Sequence, residues 1–222
     1  MCIRDRLGID VFNTPDAPTQ AVAELTIAHM LNSLRHISTT DSNMRSGKWT
    51  PTMGSLLATK TVGLIGVGRI GSAVAKLAQA FGARVIGFDP VVSSHNSVEL
   101  LSLDEVLNQA DIVSLHVPIN DQTHHIVNAS AISRMKPGSI VVNVSRGGLI
   151  DESALHDALK SQHLSGAALD CFEDEPYSGP LLQIPGVHVT AHMGSYARET
   201  RDLMEVEAST NLVNGLRKRG LI

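Results

Sequence analysis

Aromatic residues make up only 3% of this 222-residue chain, charged residues only 18%, and there are two cysteines, Cys2 and Cys171. So few rings argue against an aromatic-rich β-sandwich. With 43% hydrophobic residues and 18 glycines, the balance favours a buried parallel sheet and excludes wholesale disorder. Two thiols outside any CxxC pair give no disulfide framework and suit a reducing cytoplasm, the expected location. A net charge of −4 leaves no basic excess for nucleic acid and no Lys/Arg run for a membrane surface. No apolar run approaches the roughly 18 residues needed to span a bilayer. The opening MCIRDRLG has no apolar core of the length a secretory signal requires. The length leaves room for one large domain, or one and a half small ones.

The opening residues suit neither a signal nor a natural start. Met1–Arg6 reads as a cloning or assembly scar on a piece of a longer protein, the alternative being a short disordered natural N-terminus, and Ile9–Phe12 as a strand closed by Asn13-Thr14-Pro15. Residues 19–37 carry helical periodicity, with Thr19 able to cap it. Residues 38–60 are polar and punctuated by Gly and Pro, a linker anchored by Trp49. From Thr61 onward strands and helices alternate. Strands are expected at 61–66, 83–88, 112–117, 140–144, 167–171 and 187–190. Helices are expected at 70–81, 103–109, 130–135, 152–161 (capped by Asp151) and 198–219. That alternation predicts an α/β doubly wound parallel sheet of the Rossmann type.

Gly66-Val67-Gly68-Arg69-Ile70-Gly71 is G-x-G-x-x-G, and it follows an apolar strand and opens a helix. Gly66 suits the tight turn, Gly68 the close approach of a pyrophosphate, and Gly71 close helix–strand packing. Asp89 ends the next strand, 23 residues after Gly66, where a carboxylate accepts ribose hydroxyls and repels a 2′-phosphate. The following Pro90–Ser94 holds no cation for such a phosphate. The expected cofactor is NAD rather than NADP. The bland reading is a glycine-rich turn in a nucleotide-free protein.

Three more segments fall at strand ends, where open α/β sheets place ligands: Asn143–Gly148, Asp170–Pro176 and Thr190–Ser195. Hydride chemistry on a 2-oxo acid needs a cation for the carboxylate and carbonyl oxygens, an acid for the developing alkoxide, and a carboxylate to hold that acid. Arg146, His192 and Glu175 can fill these roles. Each also has a purely structural reading: a strand-end salt bridge, one histidine among ten, a solvated acidic turn.

Taken in order, Asn13-Thr14-Pro15, Val22-Ala23-Glu24, Gly66–Gly71, Leu115-His116-Val117-Pro118, Met135-Lys136-Pro137-Gly138, Asn143–Gly148 with Asp151, Asp170–Pro176 and His192-Met193-Gly194 resemble the D-isomer-specific 2-hydroxyacid dehydrogenases from about Ile9 to Gly220. Phosphoglycerate dehydrogenase-like members are the nearest in flavour. The resemblance implies that Arg146 binds substrate and that Glu175 pairs with His192, the acid/base. It implies that Asp170 holds the nicotinamide carboxamide and that Arg69 and Ile70 cover the pyrophosphate through backbone NH groups. Val144 and Ser145 line the nicotinamide, and Val117, Pro118, Gly194 and Ser195 complete the cofactor set. The family carries a long segment ahead of Asn-Thr-Pro that builds most of a flavodoxin-like substrate domain. The implied division is 1–18 as a remnant of that domain, 19–194 as the NAD-binding domain, and 195–222 as a helix returning to it. The cleft of this chain would then have one wall, and the chain would bind NADH but turn over slowly or not at all. Ala191 stands where the family usually has Pro.

His124 and His125 are adjacent and in regular structure would point apart, so no metal site is expected. Cys171 reads as core filler, and Ser145-Arg146 lacks the G-x-S-x-G elbow of a hydrolase. The expected function is NAD-dependent reduction of a 2-oxo acid to a D-2-hydroxy acid; the alternatives are a non-catalytic NAD(H)-sensing module and a pseudoenzyme scaffold that binds no cofactor. The expected partners are a small acid and a second copy of the chain, held through an uncovered 19–37 helix; neither nucleic acid nor membrane is expected.

Overall fold

A computed structural model describes residues 7–222; Cys2 and the suspected scar at Met1–Arg6 lie outside the described residues. Seven strands form one parallel sheet: β1 (Thr61–Ile65), β2 (Arg84–Phe88), β3 (Glu99–Leu100), β4 (Ile112–Leu115), β5 (Ser139–Asn143), β6 (Leu164–Leu169) and β7 (Val187–Val189). Their spatial order is β3-β2-β1-β4-β5-β6-β7, so chain direction across the sheet reverses between β1 and β4. That is the doubly wound fold the alternation predicts. Burial on both faces explains why the central strands read as unbroken apolar runs: every residue of β4 and β5 is buried.

The helices are α1 (Thr19–Arg35), α2 (Ile37–Arg45), α3 (Arg69–Ala80), α4 (Leu103–Gln109), α5 (Ala129–Arg134), α6 (Glu152–Lys160) and α7 (Arg198–Lys218). α4 starts in a full capping box between Ser102 and Glu105. The Asp151 carboxylate accepts the amides of Ser153 and Ala154, which starts α6 as expected. One hydrophobic cluster lies under α4, α5 and α6, the other under α1 and α3. No helix among the described residues is long and apolar enough to cross a membrane.

Several expectations fail. Among the described residues Ile9–Phe12 finds no partner strand, and the Phe12 ring lies over Gly215 of α7, where a Cβ would come within 2.0 Å. Thr19 caps nothing: α1 begins after Pro18, and the Thr19 hydroxyl is buried without a partner. The supposed linker 38–60 opens with α2, because His36 turns left-handed (φ 54°) and Asn32 Oδ1 accepts the Ser38 amide at 2.8 Å. Trp49 anchors nothing and is 81% exposed. The α1 helix has its own cover: Val22, Ala23, Ile27, Met30 and Leu34 are buried in the cluster with α3, which removes the ground given for a dimer through that helix. The two-residue edge strand β3 had no expectation at all.

Candidate active site

The crevice lies beyond the ends of the neighbouring strands β1 and β4, where the order of the sheet reverses. Gly66 follows β1 at φ +101°, a left-handed conformation that side chains resist, and its amide donates to Phe88 O at 2.7 Å. A Cβ on Gly71 would sit 2.1 Å from Gly66 O, so the first turn of α3 can close on β1 only with glycine there. Gly68 differs: a Cβ on it would meet nothing within 4 Å. The chain's own packing does not require that glycine, and it leaves open space in front of the backbone at the α3 N-terminus. Such an opening fits a pyrophosphate.

Asp89, at the end of β2, reaches back to this loop. Val67 N–H donates to its carboxylate at 2.8 Å, and the Val91 and Val92 amides donate at 2.9 Å each. Burial alone would raise the carboxyl; the three amides outweigh it and hold Asp89 below the usual carboxylate range. Arg69 turns its guanidinium to Asp16 at 2.5 Å, leaving its backbone on the loop.

Beyond β4, β5 and β6 the chain builds the second half. Asn143 is buried and clamps the loop that follows it: its amide NH₂ donates to Arg146 O at 2.8 Å, and its oxygen accepts the Ser145 amide at 3.0 Å. The Ser145 hydroxyl donates to Val117 O at 2.9 Å, tying the β5 loop to the one after β4. Asp170, 1% exposed, organises the turn after β7. Its carboxylate accepts the Thr190 hydroxyl at 2.5 Å and the Met193 and Gly194 amides at 2.8 Å each. Thr190 has one hydroxyl proton, so the buried His29 Nε2, 3.1 Å away, is the donor to the Thr190 oxygen. Burial first, and His188 to a lesser degree, keep His29 below its usual value; Asp170 opposes them.

That turn presents His192 at φ +51°, its amide donating to Asp170 O at 2.7 Å. His192 Nδ1 lies 2.8 and 3.1 Å from the two Glu175 oxygens, so Nε2 is the nitrogen left facing outward. Glu175 also accepts the Phe172 amide at 3.0 Å. Burial alone would raise its carboxyl, but the hydrogen bonds from His192 and Phe172, with the charges of His192 and Arg146, hold it below the ordinary range.

A cavity of about 260 Å³ is lined by Ile70, Val144, Ser145, Arg146, Asp170, His192, Gly194 and Ser195, so eight of the residues singled out from sequence meet there. Gly66, Gly68, Asp89, Val117 and Pro118 lie along the adjoining loops after β1, β2 and β4, and Gly71 lies in the first turn of α3. Glu175 faces a separate, more apolar hollow of about 570 Å³ that shares His192 with the cavity. Sequence reasoning missed Asn143, Thr190 and His29 as supports, and Pro18, Val22 and Met204 as lining. It quoted His116 without a role. That imidazole also lines the cavity, burial pushes it down to about 3, and its Nδ1 has no partner. Cys171 is buried and pushed up to about 12, chiefly by burial, so it stays a thiol.

The family described as "D-isomer specific 2-hydroxyacid dehydrogenase, NAD binding domain" matches residues 27–194. The chain is 43% identical over 202 residues to D-3-phosphoglycerate dehydrogenase of Methanocaldococcus jannaschii, covering 87% of this chain and 38% of that one. It is 41% identical to hydroxypyruvate reductase of Thermotoga maritima, covering 90% of this chain and 68% of that one. The crystal structure of a glyoxylate reductase from Paecilomyes thermophila superposes with a TM-score of 0.92 at 34% identity, over 97% of this chain and 67% of the other. The chain therefore spans well under half the length of the phosphoglycerate dehydrogenase it matches, and about two thirds of the two reductases.

Proposed function

This chain belongs to the D-isomer specific 2-hydroxyacid dehydrogenases through their NAD-binding domain, and from that membership we propose that it carries the cofactor and proton-transfer half of an enzyme that reduces a small 2-oxo acid to a D-2-hydroxy acid. One observation carries the reading most: His192, held through Nδ1 by Glu175 at 2.8 Å, shares a cavity with Arg146, with the loop after β5 and with Ile70 in the first turn of α3. When bound, NADH supplies the hydride. Arg146 offers a planar fork of donors to the carboxylate and carbonyl oxygen of the acid. As the carbonyl π bond breaks, its oxygen takes the proton on His192 Nε2, and Glu175 keeps the resulting imidazole in place. Asp170 serves the site by building the His192 turn. Two of its oxygens already meet three donors, so a carboxamide would have to share them.

NAD is favoured over NADP because Asp89 occupies the end of β2 and the Pro90–Ser94 segment after it holds no cation. Residues 1–18 and 195–222 are read as belonging with a substrate domain. Asp10 meets Arg219 at 2.6 Å, and the Ala17 amide meets Glu207 at 2.8 Å, which supports grouping the two segments. A homodimer is proposed through 37–56 rather than through α1. Met53 there is 92% exposed, and Ile37, Met44, Trp49 and Leu56 are exposed with it.

The test is titration with NADH and NADPH, followed by turnover with hydroxypyruvate, glyoxylate and, in reverse, D-3-phosphoglycerate. This chain is expected to bind NADH and to turn over slowly or not at all, and the full-length enzyme that carries this domain to turn over at least one of these acids. His192→Ala should lower that turnover by about 10²–10⁴-fold with NADH binding retained. Failure to bind NADH, or full turnover in the full-length enzyme with His192→Ala, overturns the reading; NADH binding without turnover of any acid by the full-length enzyme favours a sensing module.

A further inference from the structure

We propose that His124, His125 and Glu173 form a binding site for a divalent transition-metal ion of the zinc class, separate from the cofactor crevice. Adjacent residues of a strand would turn their rings to opposite faces. Here the pair sits in the turn after β4, and His125 adopts φ +50°, which sends both imidazoles the same way. The rings stack with centroids 3.9 Å apart and 25° between planes. His125 Nε2 contacts Glu173 Oε1, and the candidate ligand atoms of all three residues lie within 4.8 Å of one another.

Two imidazoles and one carboxylate are the donor set that zinc-class ions take, with a water in the fourth position. Metal bonds of about 2.0–2.1 Å on a tetrahedron put donors about 3.3 Å apart, so the wider-spaced atoms must close by about 1.5 Å at most while the His125–Glu173 contact opens. His124 and Glu173 are exposed and His125 is only half-buried, so side-chain rotation can supply that movement. On binding, His125 gives its Nε2 lone pair to the metal in place of its hydrogen bond to Glu173, and its proton moves to Nδ1. The charge balance favours a cation. Glu152, whose carboxylate accepts the Glu173 amide at 2.8 Å, adds a second carboxylate near His125.

The site would tie together two loops of the crevice. Glu173 lies two residues before Glu175, and the His125 amide donates to Gly148 O at 2.8 Å, two residues after Arg146. A bound ion would therefore brace the segment carrying the His192 partner against the segment carrying Arg146.

The test uses the full chain stripped of metal by a chelator and titrated with ZnCl₂ in competition with a chromophoric chelator, then with CoCl₂ read by visible absorption. One zinc per chain is expected, with the strong absorption of tetrahedral cobalt and a higher thermal midpoint when zinc is present. His125→Asn or Glu173→Gln should weaken zinc by at least about tenfold, the low end for loss of a supporting group. The combined His124→Asn, His125→Asn, Glu173→Gln chain should keep its circular dichroism and lose both the binding and the zinc-induced thermal shift. Absence of stoichiometric zinc binding by the unaltered chain, or equal binding by the triple variant, overturns the proposal.

Discussion

Asp170→Ala should be among the most damaging single changes in this chain. The side chain is 1% exposed and is the acceptor for three donors at once: the Thr190 hydroxyl at 2.5 Å and the Met193 and Gly194 amides at 2.8 Å. Hydrogen bonds to a charged group contribute about 1.5–3 kcal/mol each, and a stranded buried donor costs about 1–3 kcal/mol. Deleting the carboxylate also removes its own desolvation penalty, several kcal/mol in the opposite direction. The balance is a loss of about 3–5 kcal/mol, as for other buried networks broken from one side. At about 2–4 °C per kcal/mol for a chain of this size, the thermal midpoint should fall by roughly 6–20 °C. Asp170→Asn keeps one accepting oxygen and turns its NH₂ toward a donor, so it should cost about half as much. Equilibrium urea unfolding, read as a shift in midpoint at constant slope, and a thermal scan give both numbers. A value for Asp170→Ala within about 0.5 kcal/mol of the unaltered chain, the range of an ordinary surface change, would refute the reasoning. So would an asparagine variant no more stable than the alanine one.

Gly68→Ala should leave the urea midpoint nearly unchanged, since its Cβ would meet nothing within 4 Å, yet weaken NADH in a fluorescence titration; Gly66→Ala, at φ +101° with a Cβ 2.7 Å from His116 backbone atoms, should destabilise the fold itself. Equal effects of the two would refute the distinction. His116 holds its imidazole near 3 when folded against an ordinary 6.5, so the unfolded chain binds the extra proton between those values. The neutral ring's contribution is complete above pH 6.5 and is lost as pH falls toward 3, on the order of 4–5 kcal/mol in all. Urea midpoints at several pH values should fall less steeply in His116→Asn. Asp89→Ala should narrow or abolish the preference for NADH over NADPH in parallel titrations; an unchanged ratio would remove Asp89 from cofactor choice.

Much of the sheet was readable because parallel strands buried on both faces leave unbroken apolar runs, as in Val141-Val142 and Ile112-Val113. The same rule misled at Ile9–Phe12, which is apolar but packs on α7 rather than beside a strand. Helix α2 was hidden for the opposite reason. Its sequence ISTTDSNMR has little apolar face, and it buries no residue; it starts from a turn that only the fold reveals. At the site, residue types that carry chemistry stood out at strand ends, whereas their supports did not. Asn143 and Asp170 matter through the particular amides they accept or reach, and those pairings exist only once β5, β6 and β7 are aligned. The two histidines at 124–125 were dismissed on strand geometry, and they sit in a turn.

The sheet's parallel order also sets a timetable for biosynthesis. β1, whose end forms the glycine loop, pairs with β2 at Thr61↔Arg84 and with β4 at Val62↔Ile112, a partner 50 residues later in the chain. At about 5–20 residues per second, the ribosome leaves β1 for roughly 2–10 seconds without the neighbour that closes its second edge. Through that interval Val62, Leu64 and Ile65, all fully buried in the finished protein, have no complete cover. The crevice at the switch point is therefore a late product of translation, and the nascent chain carries an uncovered β1 edge before it can offer a nucleotide any site at all.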